Sequence, residues 1–242
     1  MKKTRILSVD GGGIKGIVPA VVLLHLENCI QQLTNNPNSR IHDYFDLFSG
    51  ASTGAIIIAG LLSPDSNNRP KYTTNEILDL YIKNGHIIFN SSIFQEIKSV
   101  SGIVNVKYNP EGLESVFNKY FGNSQLKDLL KPSLIPVYDL SRGKNYFFRQ
   151  QKAQISSRHN YYVKDLLRGA TSAITYFPPA KISTVDQKQH RCFIDGGIFA
   201  NNPALSAYSE FRYHNSDLHA KDTMMLSLGT GRKTTNLDCE IT

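Results

Sequence analysis

Hydrophobic positions along this chain alternate between two rhythms. A short β-branched run, Arg5–Val9, stops at Asp10-Gly11-Gly12-Gly13, and Ile17, Val21, Leu24 and Ile30 then recur at helical spacing to about Leu33. The same strand, glycine turn and helix follow at once, with Tyr44–Ser49 as strand, Gly50–Gly54 as tight turn and Ala55–Leu62 as a buried helix. Further strands are expected at Leu134–Leu140, Asn145–Arg149, Arg191–Ile194 and Met224–Leu228. Helices are expected at Thr74–Asn84, Pro110–Tyr120, Val163–Ala173 and Pro203–Tyr213, the last with Asn201-Asn202 ahead of its first-turn proline. Strands alternating with helices imply an α/β fold, a mostly parallel sheet covered on both faces. Ligands in such folds gather at the carboxyl ends of strands, where both glycine turns lie.

The polar breaks Thr34–Arg40 and Ser63–Lys71 read as surface loops within one domain spanning residues 1–242. Between Asn84 and Tyr108 the apolar residues His86-Ile87-Ile88-Phe89 and Ile93-Phe94 lack a clean period. Core is the default there, and an apolar flap over a lipid site is the alternative. The longest unbroken apolar stretch near Ser52 is Ala55–Leu62, short of the roughly 20 residues a membrane span needs. Met1-Lys2-Lys3 imitates a secretory leader, but the apolar run after Arg5 ends at Asp10. The expectation is therefore a cytoplasmic or peripheral membrane protein with no signal peptide or transmembrane segment.

Charge widens the list of partners without choosing among them. Lys and Arg number 27 against 20 Asp and Glu, a formal charge of +7. A basic surface suits anionic lipid, nucleic acid or an acidic protein. No basic block interleaved with aromatics is present, so nucleic acid is not expected. Cys29, Cys192 and Cys239 are odd in number and far apart, and no H-E-x-x-H occurs among the His, so neither a disulfide framework nor a metal or other cofactor is expected.

Candidate chemistry centres on Gly50-Ala51-Ser52-Thr53-Gly54, a G-x-S-x-G between a predicted strand and a predicted helix. A serine at that apex stands at a helix N-terminus, and its sharp turn needs small neighbours. A helix start capped by Ser52 is the plain alternative. Gly11-Gly12-Gly13-Ile14-Lys15-Gly16 is a literal G-x-G-x-x-G after a strand. It suits a dinucleotide pyrophosphate, a bare-backbone oxyanion hole or a simple turn. The second strand runs straight into the serine turn and lacks the acidic residue a dinucleotide site expects at its end. Asp195-Gly196-Gly197 closes the apolar run Cys192-Phe193-Ile194. Asp195 is either a base for the serine or the first residue of a hairpin turn. His214 and His219 follow it in a polar stretch and would complete a conventional triad in the order Ser, Asp, His.

These stretches together resemble the patatin-like phospholipases. The resemblance rests on Asp10–Gly16, on Gly50–Gly54, on Asp195-Gly196-Gly197 with Asn201-Asn202-Pro203 behind it, and on Ala170-Thr171-Ser172-Ala173 leading to Tyr176-Phe177-Pro178-Pro179. Leu226-Ser227-Leu228-Gly229-Thr230-Gly231 is similar to a fifth motif, so the likeness runs from Ile6 to Gly231. It implies a three-layer sandwich of patatin type. It implies a serine–aspartate dyad of Ser52 and Asp195, an oxyanion hole from Gly11, Gly12 and Gly13, and shaping glycines at Gly16, Gly50, Gly54, Gly196 and Gly197. The implied activity is hydrolysis of fatty-acyl esters of membrane phospholipids or other acyl lipids, without metal or cofactor, in peripheral contact with the membrane. Where the family often has Arg, this chain has Lys15, which keeps the charge and loses the bidentate geometry.

Overall fold

The computed structural model describes residues 3–89, 109–174, 176–215 and 219–231. The expectations placed on Ile93-Phe94 and Cys239 lie outside them. The strands are β1 (Thr4–Val9), β2 (Leu47–Gly50), β3 (Ser133–Asp139), β4 (Lys144–Arg149), β5 (Ala180–Ser183), β6 (His190–Asp195) and β7 (Thr223–Leu228). Among the described residues the α-helices are α1 (Ile17–Thr34), α2 (Thr53–Leu62), α3 (Thr74–Ile88), α4 (Glu111–Phe121), α5 (Gln150–Ile155), α6 (Val163–Ala170), α7 (Gly197–Ala200) and α8 (Ala204–His214).

The strands form a 7-stranded sheet with the order β5-β6-β3-β2-β1-β7, and β4 also pairs with β3. It is mixed rather than mostly parallel. β1 runs parallel to β2 and β7, and β2 parallel to β3, but β4 and β6 oppose β3 and β5 opposes β6. Pairing direction depends on connections made across the whole chain, which local apolar rhythm does not encode. The layering follows from the side-chain alternation of β1 and β2. Leu7, Val9 and Phe48 enter the large core with α2, while Ile6 and Leu47 turn to the opposite face against Ala207 and Phe211 of α8. Every residue of α2 is buried, as its run of Ala, Ile and Leu requires.

Several boundaries differ from the sequence expectation. Residues Ile41–Asp43 form a 3₁₀ turn, and β2 begins only at Leu47. The short strand β5 was hidden by the preceding Pro178-Pro179 and by exposed Lys181, and polar Gln150-Gln151-Lys152 concealed α5. Helix α6 stops at Ala170, where the Thr171 and Ser172 hydroxyls donate to the carbonyls of Leu167 and Arg168 at 2.8 and 2.6 Å. The helical stretch Gly13–Thr34 has 22 residues, and an 18-residue window of it has a mean hydropathy of 1.4, enough to cross a membrane by length and composition alone, a test that a core helix also passes. In this fold it lies in the outer layer, with Ala20 and Leu23 buried against the core.

Antiparallel packing of α1 on α3 is fixed at both ends. The buried Glu27 carboxylate of α1 accepts from the Thr74 N–H and hydroxyl at the start of α3, at 3.2 and 2.9 Å, and from Ile41 N–H at 3.1 Å. At the other end Gly85 of α3 lies so close to Ile14 that a Cβ there would stand 2.7 Å from Ile14 Cδ1.

Candidate active site

One edge of β3 carries both halves of the site. β4 takes the other edge along residues 134–139, so β2, paired at 133–134, and β6, paired at 137–139, share the remaining one end to end. β2 leaves that edge at Gly50 and β6, running the opposite way, reaches it at Asp195. Their carboxyl ends therefore face each other across the gap, and Ser52 and Asp195 meet there.

Ser52 caps α2 with φ 50° and ψ −118°, a positive-φ backbone that an L residue rarely holds. The turn survives because its flanks lack side chains. A Cβ on Gly50 would lie 2.3 Å from Gly54 O, and one on Gly54 would lie 2.2 Å from Val9 O. Ser52 is half-buried, and its hydroxyl lies close enough to the Asp195 carboxylate to lower that group's pKa.

Asp195 is 4 % exposed. Burial pushes its carboxyl up to about 6, against the opposing effects of the hydrogen bonds from Ser52 and from the Gly197 N–H, the latter 2.7 Å from Oδ1. No cation among the described residues contributes to that balance, so the carboxylate keeps an affinity for protons that an ion pair would remove. The segment is a strand-to-helix turn rather than the hairpin turn that Asp-Gly also allowed, because α7 follows directly at Gly197. Gly196 packs flat on Pro136, whose carbonyl a Cβ would meet at 2.3 Å.

The glycine loop arrives beside Ser52 from β1, with the position of a Gly11 Cβ only 3.2 Å from Ser52 Cβ. Its first member departs from the expectation. Gly11 N–H donates to Asn201 O at 2.9 Å, and its carbonyl accepts from Asn201 Nδ2 at 3.2 Å and from Thr230 Oγ1 at 2.9 Å. With its N–H already bonded, Gly11 has no donor left for an oxyanion. The N–H groups of Gly12, Gly13 and Thr53 have no acceptor among the described residues. Gly16 ends the 3₁₀ turn Gly13–Gly16 and packs against Thr53 and Tyr81. The Tyr81 hydroxyl in turn donates to Thr53 O at 2.8 Å.

Two residues that sequence reasoning left without a role hold this arrangement. Asn201 grips both sides of Gly11, as above. Buried Arg168 donates to the Ser172 hydroxyl, to Pro178 O at 3.1 Å and to Glu114 Oε1 at 3.0 Å, while Ser172 O accepts from Asp195 N–H at 3.0 Å. Arg168 thus fixes the segment against which the Asp195 backbone rests. The last glycine-rich motif acts in the same way. Asp10 N–H donates to Leu228 O at 2.9 Å, and Asn202 Nδ2 lies 3.3 Å from both Asp10 Oδ2 and Ser227 Oγ. Burial raises the Asp10 pKa above the ordinary carboxylate value, opposed by the Asn202 bond.

His214 is at the far end of α8, 3.5 Å from Glu210, and the exposed His219 uses its backbone N–H to bond Asp222. Neither touches Ser52 or Asp195, so the structure does not assemble the conventional triad. No group of three or more His, Cys, Asp or Glu that could hold a metal occurs among the described residues.

Comparison with known proteins matches a patatin-like phospholipase family model to residues 7–208. Patatin-like protein 4 of Arabidopsis thaliana is 31% identical over 93% of this chain and 59% of its own length. Patatin group A-2 of Solanum tuberosum is 33% identical over 93% of the chain and 60% of its own. "Probable inactive patatin-like protein 9" of A. thaliana is 32% identical over 96% and 62%. The chain thus spans about 60% of the length of these relatives. Among solved structures, VipD from Legionella pneumophila aligns with a TM-score of 0.42 and 13% identity over 93% of this chain and 49% of its own. With most of its length matched by the family model, and with relatives above 30% identity along nearly all of it, this chain belongs to the patatin-like phospholipase family.

Proposed function

We propose that this protein is a serine lipid acyl hydrolase of phospholipase A type, acting on fatty-acyl esters of membrane lipids through a Ser52–Asp195 dyad. The observation that carries the reading is the Ser52 hydroxyl set against a buried carboxylate that no cation among the described residues neutralises. In the proposed reaction Ser52 Oγ bonds to the acyl carbonyl carbon as its proton passes to Asp195. Negative charge on the carbonyl oxygen is met by the N–H groups of Gly12 and Gly13, joined by Thr53 at the start of α2. The tetrahedral adduct collapses, the ester C–O bond breaks, and the proton on Asp195 moves to the departing lyso-lipid alcohol. Asp195 then takes a proton from water, whose oxygen attacks the acyl-Ser52 ester; as the bond to Ser52 Oγ breaks, Asp195 returns the proton to that oxygen and the fatty acid is freed. Every proton carrier and oxyanion donor comes from the chain itself.

Family membership supports lipid acyl chemistry in general. A relative named as inactive favours a second reading, in which the fold binds lipid without turnover. Labelling with a fluorophosphonate, with a panel of phospholipids and galactolipids as substrates, separates the two. The expected result is a label on Ser52, acid release from at least one lipid, and loss of both in Ser52→Ala. An unlabelled Ser52 with no product from any lipid would leave the binding reading.

A further inference from the structure

We infer that the paired ends of α1 and α3 beside the glycine loop form the face by which this protein seats on an anionic bilayer. The inference rests on the lipid acyl hydrolase reading above and names the surface through which that site meets its substrate.

Both helices change character along their length in the same direction. The exposed face of α1 is aliphatic in the turns nearest the glycine loop, where Ile14, Val18, Val21 and Val22 are 38 to 49 % exposed. Further along, the same face carries His25, Asn28 and Gln32, with Leu33 as the exposed hydrophobic residue of the last turn. In α3 the first turns expose Asn75 and Glu76, whereas the end nearest the loop exposes Ile82 and Ile87. Because the helices are antiparallel, tied at Glu27–Thr74 and at Ile14–Gly85, the aliphatic halves lie together at the site and the polar halves lie together away from it. Solubility alone gives no reason for such a gradient. A surface that dips into an apolar medium only at its catalytic end needs one. Only 28% of the residues in the 18-residue window of this stretch that passes for a membrane span are buried.

Charge selects the partner. Residues 13–26 and 80–89 contain no Asp or Glu, and their charged residues are Lys15 and Lys83, both exposed. Lys83 is 2.5 Å from Asp79, just outside the patch, while Lys15 stands next to the loop. With Lys83 neutralised by Asp79, the unpaired charge at the loop end of this aliphatic face is the cation Lys15, which complements anionic headgroups over acyl chains rather than an acidic soluble protein, which would leave the valines unpartnered.

The absence of tryptophan makes the test direct. In a Ser52→Ala background, Val21→Trp and Leu33→Trp each provide a single reporter, the second at the polar end of the same helix, where Leu33 is 87 % exposed. With phosphatidylglycerol vesicles, emission from Val21→Trp should shift to the blue and be quenched by brominated acyl chains, while Leu33→Trp remains in water. In the active protein, Val18→Asp with Val21→Asp should lower the ratio of vesicle hydrolysis to soluble-ester turnover about tenfold or more. Equal responses from both reporters, or none from Val21→Trp, would overturn the inference. So would a Val21→Trp emission already blue-shifted in buffer and dependent on protein concentration, which would put a second copy on this face. Failure of the wild type to cleave any ester would instead sink the hydrolase reading, and the reporters would still decide the docking face.

Discussion

Replacing Asp195 with Asn should abolish turnover and, at neutral pH, make the protein more stable. Burial raises the folded-state pKa of Asp195 from 3.8 to about 6. The native protein therefore holds the carboxyl proton more tightly than the unfolded chain, and between these two values it binds more protons. By linkage, stability from this group is fully present below about pH 4 and is lost as pH rises through about 6. At about 1.4 kcal/mol per pH unit the loss is about 3 kcal/mol once the carboxylate is ionised. Asn cannot ionise, and its carbonyl oxygen can still accept from the Gly197 N–H that now lies 2.7 Å from Oδ1. The difference in unfolding free energy between Asp195→Asn and wild type should therefore grow by about 2.4 kcal/mol between pH 4, where the unfolded carboxyl is already part ionised, and pH 7.5, equivalent to about 5–10 °C in Tm for a chain of this size. Chemical denaturation of both proteins at the two pH values measures it, and the subtraction removes other titrating groups that act independently. Over the same range hydrolysis by the variant should fall by about 10²–10⁴-fold or more. A stability difference that stays flat with pH would refute the reasoning, since Asp195 would then not be held in the folded state against its charge.

Further expectations follow from the same geometry. Turnover of a soluble ester by wild type should rise with pH through about 6 and level off above it, as Asp195 loses its proton, and a profile governed only by a group near 7 or higher would count against the dyad. Gly12→Ala should lower kcat by about 10²–10³-fold with little change in KM, because a Cβ there would stand 2.2 Å from Thr230 Oγ1, the group that holds Gly11 O; an unchanged kcat would make the loop purely structural. Asn201→Ala should also act mainly on kcat, by removing the Nδ2 bond to Gly11 O while the backbone bond from Gly11 N–H to Asn201 O stays, and a change confined to KM would contradict a positioning role. His214→Ala and His219→Ala should stay within about twofold of wild type in steady-state assays, a conventional triad member being worth orders of magnitude more.

Much of the site was legible because its chemistry demands unusual local sequence. Ser52 needs a positive-φ turn with bare neighbours, so Gly50 and Gly54 stand where side chains would collide with backbone. Asp195 was visible as the end of an apolar run, but its alternative as a hairpin residue fell only when α7 was found directly behind it. What stayed hidden depends on groups distant in sequence. Nothing near Arg168 signals that it will fix Ser172 behind the base. The loss of Gly11 as an oxyanion donor is decided by Asn201, far along the chain. The antiparallel course of β6 was likewise unreadable from its residues, yet it is what brings two strand ends nose to nose.

That end-to-end meeting of β2 and β6 has a consequence for how the enzyme comes into being. The proposed nucleophile belongs to the first parallel unit of the sheet, while the proposed base arrives on β6, a strand made long after it that pairs with β3 beyond the end of β2. A ribosome working at about 5–20 residues per second extrudes Ser52 on the order of ten seconds before Asp195. Through that interval, and in any product truncated before β6, the serine stands on its strained turn with no proton acceptor. On the proposed mechanism, reactivity toward acyl esters therefore waits on β6, and the order of the strands along the chain is itself the safeguard for the membranes around an unfinished one.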